Sequence, residues 1–117
     1  MEISQSEIDN AYVFKPVGRV DSRTAAEFEQ TLLSAISEGQ DKVIVDFTEL
    51  NFMSSAGLRV VLMAAKRLNK KGFFALCGMS DNIREVFEVS GFSKILTITI
   101  DLSAALETLK AKEAGSD

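Results

Sequence analysis

The sequence contains no histidine, and its 117 residues include one cysteine and one proline. Histidine and cysteine are common zinc ligands, and histidine is the usual acid–base catalyst near neutral pH, so the commonest sites of both kinds lack their residues. Cys77 alone forms no internal disulfide, which favours a reducing compartment. We therefore expect a cytoplasmic protein that has neither a metal nor a cofactor.

Long apolar runs are also missing. The longest run is far shorter than the roughly 20 residues that a bilayer-spanning helix needs. The N-terminus has neither a basic region nor an apolar stretch, so we expect no signal peptide. The net charge of −4 disfavours general nucleic-acid binding, because such binding depends on cations that neutralise phosphates. The sequence thus predicts a globular protein that does not bind nucleic acid and does not insert into a membrane.

Apolar residues recur with strand and helix periods that alternate along the chain. The predicted strands cover residues 2–8, 11–17, 43–47, 73–77 and 95–99. The predicted helices cover residues 24–37 and 56–70, a short segment after Ser80 and a last segment that opens at Asp101 or Ser103. Either Ser22 or Thr24 is expected to cap the first helix, and Thr24 has capping-box spacing to Glu27.

Alternating strands and helices imply crossover connections between parallel strands. We therefore expect one α/β domain over residues 1–112, followed by a frayed tail at 113–117. Its sheet is predicted to be mostly parallel, with four or five strands, an antiparallel N-terminal hairpin that turns at Asp9-Asn10, and about four helices.

The loop before the second helix is the most informative part of the chain. A buried-type strand, Val43–Phe47, is followed by a short loop that brings Ser54 and Ser55 to the start of an amphipathic helix. Serine is among the best N-caps, so either residue is expected to cap the helix. A phosphate at this position gains roughly 0.3–1 kcal/mol from the helix dipole. The loop therefore predicts a cap that is also compatible with a phosphorylation switch.

Other side chains are expected at the same edge of the sheet, where open α/β sheets usually meet their ligands. Asp21 is either a cap or turn residue of the first helix or a polar contact beside the serine loop. Asp46 and Thr48 are expected to organise the loop by bonds from side chain to backbone. Of Phe52 and Met53, one fills the core and the other offers a partner an apolar contact.

Basic residues cluster on the second helix and just after it. Their pattern fits either a solvated face with cations near the helix C-terminus, which the helix dipole favours, or an electrostatic docking face. These residues are Arg59, Lys66, Arg67, Lys70 and Lys71.

Four segments together resemble the STAS domain, and within it the stand-alone bacterial anti-sigma-factor antagonists. They are Gly18-Arg19-Val20-Asp21, the run from Val43 to Thr48, the run Phe52-Met53-Ser54-Ser55-Ala56-Gly57-Leu58-Arg59, and Gly91-Phe92. The resemblance extends from about residue 3 to residue 110 and is most specific between Val43 and Leu58.

This resemblance implies a regulatory protein without catalytic activity. Such a domain is the substrate of a serine kinase that is also an anti-sigma factor. The unphosphorylated form binds the kinase, and this frees the sigma factor. Phosphorylation ends the binding, and a metal-dependent serine phosphatase of the PP2C type restores it.

The family's usual loop reads Asp-Ser-Ser-Gly-Leu-Gly, and its first serine is modified. When the two loops are aligned on Gly57-Leu58, Ser55 matches that serine and Ser54 replaces the aspartate. Arg59 stands where glycine is frequent. The resemblance implies phosphorylation of Ser55 and leaves open whether Ser54 is modified as well.

Asp21 matches an aspartate that resembles a partner-contact position of the family. The predicted partner-binding residues are Asp21, Phe52, Met53, Ser54, Ser55 and Arg59.

Two other functions compete with this interpretation. The same fold also serves as an interaction subunit of sensory or lipid-transport complexes, in which Ser55 is never modified. A receiver-like phosphoacceptor at Asp46 is the other alternative. It is disfavoured because the chain lacks the acidic pair at the end of the first strand and the lysine on a later strand.

Overall fold

The structure is a computed structural model that describes residues 1–68 and 72–115. Within these residues it has seven strands, four α-helices and one 3₁₀ helix. The strands are β1 (Ile3–Ile8), β2 (Ala11–Pro16), β3 (Gly18–Val20), β4 (Lys42–Asp46), β5 (Leu50–Met53), β6 (Phe73–Cys77) and β7 (Thr97–Thr99). The helices are α1 (Ala25–Ser37), α2 (Ser55–Leu68), α3 (Asp81–Val89) and α4 (Leu102–Ala114), and the 3₁₀ helix is Phe92–Lys94.

The main sheet has five strands in the order β1-β2-β4-β6-β7. β1 and β2 are antiparallel, and the other neighbouring strands are parallel. Asp9 and Asn10 make the turn of the N-terminal hairpin with φ values of 52° and 70°, which these residue types tolerate. The predicted fold class is therefore confirmed.

The central strand β4 is covered on both faces, as its continuous apolar pattern predicts. Val43 and Val45 pack into a core that α1, α2 and α3 share, whereas Ile44 packs into a second core with α4. All three side chains are 0% exposed. Three helices thus cover one face of the sheet and the last helix covers the other.

The sequence patterns did not reveal a second, two-stranded sheet. β3 and β5 pair in parallel, with Arg19 opposite Phe52 and Val20 opposite Met53. Each strand has only three or four residues, too few for a strand period to be recognised. This small sheet leads directly into α2 and so positions the serine loop.

Two predictions about α1 and the end of the sheet are wrong. Thr24, one of the two predicted caps, is the N-cap residue of α1, but its side chain does not make the expected cap bond. Its hydroxyl instead donates to the carbonyl of Arg19 at 2.9 Å. The last strand begins at Thr97 rather than at residue 95, since the 3₁₀ helix and Ile95 precede it.

Polar side chains cap the starts of α3 and α4. The side chains of Ser80 and Asp101 cap α3 and α4 by accepting N–H groups of Ile83 and Ala104, at 3.4 and 2.9 Å. α4 continues to Ala114, so two residues of the expected frayed tail are helical. Residues 116–117 of that tail, and residues 69–70 of the predicted second helix, lie outside the described residues.

No helix within the described ranges is long and apolar enough to cross a membrane.

Two glycines with positive φ allow a matched test of a close approach in this fold. A Cβ on Gly78 would lie 2.5 Å from Thr48 Oγ1 and 2.6 Å from Asp46 Oδ1, whereas one on Gly91 would meet nothing within 4 Å. Gly91→Ala should lower the free energy of unfolding by about 1 kcal/mol through backbone strain alone. Gly78→Ala should cost about 3 kcal/mol, because atoms that hold the loop must move. Urea denaturation measures both, and equal costs would contradict the crowding at Gly78.

Candidate functional site

The carboxyl ends of β3 and β5 bring the predicted site residues together. The strands are parallel, so Asp21 follows one strand and Ser54 follows the other at the same edge. The N–H of Ser54 donates to the carbonyl of Val20 at 2.8 Å. This bond holds the first residues after the two strands side by side.

Ser54 performs the capping role at the start of α2. Its half-buried side chain accepts the N–H of Gly57 at 3.4 Å, and its carbonyl accepts the N–H of Leu58 at 3.0 Å. The hydroxyl oxygen therefore faces the helix backbone and satisfies one of its unpaired donors.

Ser55 lies in a different environment although it is the next residue. It is the first residue of α2 and is exposed, and its hydroxyl makes no hydrogen bond to any part of the chain that the structure describes. The first turn of α2 contains no acidic residue. A hydroxyl in this position is accessible to a docking protein, and negative charge added to it meets the positive end of the helix dipole.

Gly57 fixes where this helix begins. A Cβ at this position would lie 2.6 Å from Val20 Cγ1 and 3.1 Å from Met53 Cγ. Only a residue without a side chain lets the first turn of α2 approach the small sheet this closely. The two serines are thereby held at a fixed distance from the ends of β3 and β5.

Asp21 is a turn residue that also faces the site. Its Oδ1 accepts the N–H groups of Arg23 and Thr24 at 2.9 and 3.2 Å. The N–H of Arg23, followed by that of Thr24, holds the pKa of the Asp21 carboxyl below its usual range. With 22% of its side chain exposed, this carboxylate presents a negative charge at the same edge as Ser55.

Of Phe52 and Met53, the structure shows which residue fills the core and which is exposed. Met53 is 3% exposed and belongs to the main core, so its predicted partner contact is wrong. Phe52 is 38% exposed. The Arg19 guanidinium lies 4.3 Å from the centre of its ring, and Arg19 Nε lies 3.7 Å from Asp21 Oδ2.

Arg19 is a site residue that the sequence analysis did not single out. The parallel register that sets it opposite Phe52 is the signal that would have identified it. That signal depends on recognising β3 and β5 as paired strands.

The polar residues at the end of β4 are structural. Asp46 is 5% exposed, and its Oδ1 accepts both the N–H of Thr48, at 3.0 Å, and the Thr48 hydroxyl. Burial, and to a lesser extent the nearby Asp46 carboxylate, raises the pKa of the Cys77 thiol to about 12. The thiol is therefore protonated and buried, as expected for a core cysteine.

The basic residues of α2 are separated along the helix. Arg59 is exposed one turn after Ser55, while Lys66 and Arg67 are exposed in the last turn. Lys70 and Lys71 lie outside the described residues. Residues 1–68 and 72–115 contain no group of three metal-ligating side chains that could hold an ion.

Comparisons with known proteins agree with this fold. The sequence model of the STAS domain matches residues 2–106. BtrV of Bordetella bronchiseptica, provisionally named an anti-sigma factor antagonist, is 36% identical over 94% of this chain and 96% of its own length. The anti-sigma-B factor antagonist of Listeria monocytogenes is 32% identical over 84% of this chain and 86% of its own length.

Two solved structures of SpoIIAA share the fold, and the phosphorylated one is from Bacillus. The unphosphorylated form, described as an anti-sigma factor antagonist, has a TM-score of 0.79 at 21% identity and covers 94% of this chain and 97% of its own. The phosphorylated form has a TM-score of 0.71 at 23% identity and covers 92% of this chain and 99% of its own.

The two serines should respond differently to truncation. Ser54→Ala removes the side-chain cap of α2 and should lower the free energy of unfolding by about 1 kcal/mol. Ser55→Ala removes an exposed hydroxyl and should change it by less than about 0.5 kcal/mol. Thermal and urea denaturation of both variants measure the difference. The reverse order would contradict the assignment of Ser54 as the cap.

Asp21→Asn should destabilise the protein at neutral pH, because the amide accepts the two N–H groups less strongly than the carboxylate does. The pKa of Asp21 is lowered in the folded state, so its contribution is present above the unfolded pKa of about 4 and is lost as pH falls through the folded value. The stability difference between the variant and the unmodified protein should therefore shrink below about pH 4. Denaturation series from pH 7 to pH 2 test this, and a difference that is independent of pH would refute it.

Proposed function

The chain belongs to the STAS domain family, and we propose that it is an anti-sigma-factor antagonist that acts by reversible exchange of binding partners. The relatives that support this role align with 94% and 84% of the chain, at 36% and 32% identity. Their alignments extend over nearly their full lengths, so the proposed role concerns the whole domain rather than one motif.

In the proposed switch, Ser55 is the phosphate acceptor and a serine-kinase anti-sigma factor is the partner. The observation that carries this proposal is the contrast between neighbouring hydroxyls. Ser54 is engaged by the helix backbone, whereas Ser55 is exposed and has no bond within the described residues. A kinase can therefore reach Ser55 without opening α2.

The proposed docking surface surrounds this hydroxyl. It combines the Asp21 carboxylate, the exposed Phe52 ring with Arg19 above it, and Arg59 one helical turn on. An aromatic ring with an arginine is a combination that is enriched at the centres of protein interfaces. Ser54 contributes by holding the start of α2 in place.

In this scheme phosphorylation lowers the affinity for the partner and leaves the fold unchanged. A phosphate adds roughly −1.5 to −2 charges beside the ionised Asp21, and a partner that cannot pair this charge must desolvate it. A penalty of ~3 kcal/mol already weakens binding by about a hundredfold. The unphosphorylated and phosphorylated structures of SpoIIAA both share the fold of this chain, which supports a switch in which the fold persists when the phosphate is added.

The protein is a substrate and a binding partner in this scheme, not a catalyst. The kinase brings ATP, magnesium and the catalytic base, and a PP2C-type serine phosphatase removes the phosphate. ATP-dependent partner exchange of this kind takes place in the cytoplasm, where Cys77 remains a thiol.

The switch can be tested with the partner that co-purifies with the unmodified protein in the absence of ATP. Ser55→Ala should bind this partner with unchanged affinity and stay bound when ATP and magnesium are added. Ser55→Asp should bind at least tenfold more weakly, because it places a permanent charge at the acceptor position. Intact-mass measurement should find one added phosphate on the unmodified protein after incubation with ATP.

Ser54→Ala is the matched control, because it removes the neighbouring hydroxyl and leaves the acceptor. It should still gain one phosphate and be released. Phosphorylated protein that binds the partner as tightly as unmodified protein would refute the switch. A stable complex in which Ser55 is never modified in cells would favour the role of a permanent interaction subunit.

A further inference from the structure

A groove of about 670 Å³ opens along the second half of α2, away from Ser55 at the start of that helix. Its other walls come from the beginning of β6, the segment between the 3₁₀ helix and β7, and the last turns of α4. None of its described lining residues belongs to the candidate phosphorylation site.

The groove exists because β7 is shorter than β6. The strand pairing matches Ala75 with Thr97 and Cys77 with Thr99, so the pairing does not extend to Phe73 and Phe74 at the beginning of β6. α2 and α4 pack on opposite faces of the sheet. The missing length of β7 therefore leaves a space at the sheet edge between the two helices.

The lining of this space is largely apolar and incompletely covered. Leu62, Phe74, Phe92 and Leu96 are only partly buried. Ile95 is 72% exposed although it lies on the wall of the groove. An apolar occupant would remove this surface from water, which is the main source of binding free energy in such sites.

The charged residues that line the described part of the groove are of one sign. Lys66 of α2 and Lys112 of α4 are its charged lining residues, and no acidic side chain is among those described. The Lys112 ammonium donates to the carbonyl of Gly72 and lies 5.8 Å from the centre of the Phe73 ring. This contact holds one cation on the wall, and an ammonium has further N–H groups for a second acceptor.

We propose that this groove binds a fatty-acid carboxylate. The acyl chain lies against Leu62, Phe92 and Ile95, and the carboxylate is paired by Lys66 and Lys112. The volume falls within the range of about 300–1,000 Å³ that is usual for small-molecule sites. Among the described lining residues, apolar walls with two cations and no anion match a molecule that has one apolar chain and one negative charge.

Titration calorimetry of the full chain with dodecanoate, below its micellar concentration, tests the proposal. Saturable binding of one molecule per chain is expected. Dodecan-1-ol, which has the same chain and no charge, should bind at least tenfold more weakly. Lys66→Gln with Lys112→Gln should weaken dodecanoate by about tenfold and leave dodecanol unchanged, and Ile95→Asp should weaken both.

Two surface variants outside the groove serve as controls. Lys110→Gln removes a cation of α4 that lies 3.8 Å from Asp9, and Val89→Asp alters a side chain that is 82% exposed on α3. Both should bind dodecanoate with unchanged affinity, and circular dichroism should find every variant folded.

Binding that does not saturate, or that responds equally to groove and control variants, would overturn the proposal. Equal affinity for dodecanol would also overturn it, because the lysines would then have no role. If dodecanoate does not bind, the proposal is overturned. If the chain then forms a concentration-dependent dimer that Ile95→Asp disrupts, the groove is a contact between copies of the chain. None of these results depends on phosphorylation of Ser55.

Discussion

The close approach of α2 to the small β3–β5 sheet is the contact on which the candidate site depends. Gly57 leaves no space for a side chain against Val20 and Met53, and the Ser54–Val20 backbone bond joins the loop to the same strand. Together they fix the distance of the first helical turn from the β3–β5 sheet and its rotation about the helix axis. The direction of each hydroxyl follows from that rotation, since neighbouring helical residues point about 100° apart. One serine is thus turned toward the backbone and the next toward solvent.

This arrangement assigns the helix cap and the proposed phosphate acceptor to two adjacent residues. The capping function belongs to Ser54, so chemistry at Ser55 does not remove a bond on which the helix relies. Asp21 is already ionised and held by backbone donors, so it provides a fixed negative charge rather than one that varies near neutral pH. A phosphate added nearby then changes the charge of a rigid surface. This is the condition under which a modification alters binding without altering the fold.

The sequence predicted those parts of the structure that depend on local patterns. β4 was recognisable because three successive apolar residues require cover on both faces, and α3 because Ser80 and Gly91 mark its limits. β3 and β5 were not recognisable, because their short strands are stabilised by each other and by Gly57 rather than by their own periodicity. The same contact decided that Met53 is buried and Phe52 exposed. Two adjacent apolar residues cannot be assigned to opposite faces until the register with a partner strand is known.

The two proposed binding surfaces of α2 lie on different stretches of one helix. Ser55 is the first residue of α2, whereas the groove begins at Leu62, which lies about 10 Å further along the axis at 1.5 Å per residue. A ligand in the groove therefore leaves Ser55 uncovered. The helix is anchored at its start by Gly57 and along its length by buried residues such as Val61 and Ala64. A well-packed helix moves as a unit. A ligand that altered the packing of α2 would therefore move Ser55 only by a small displacement of the whole helix.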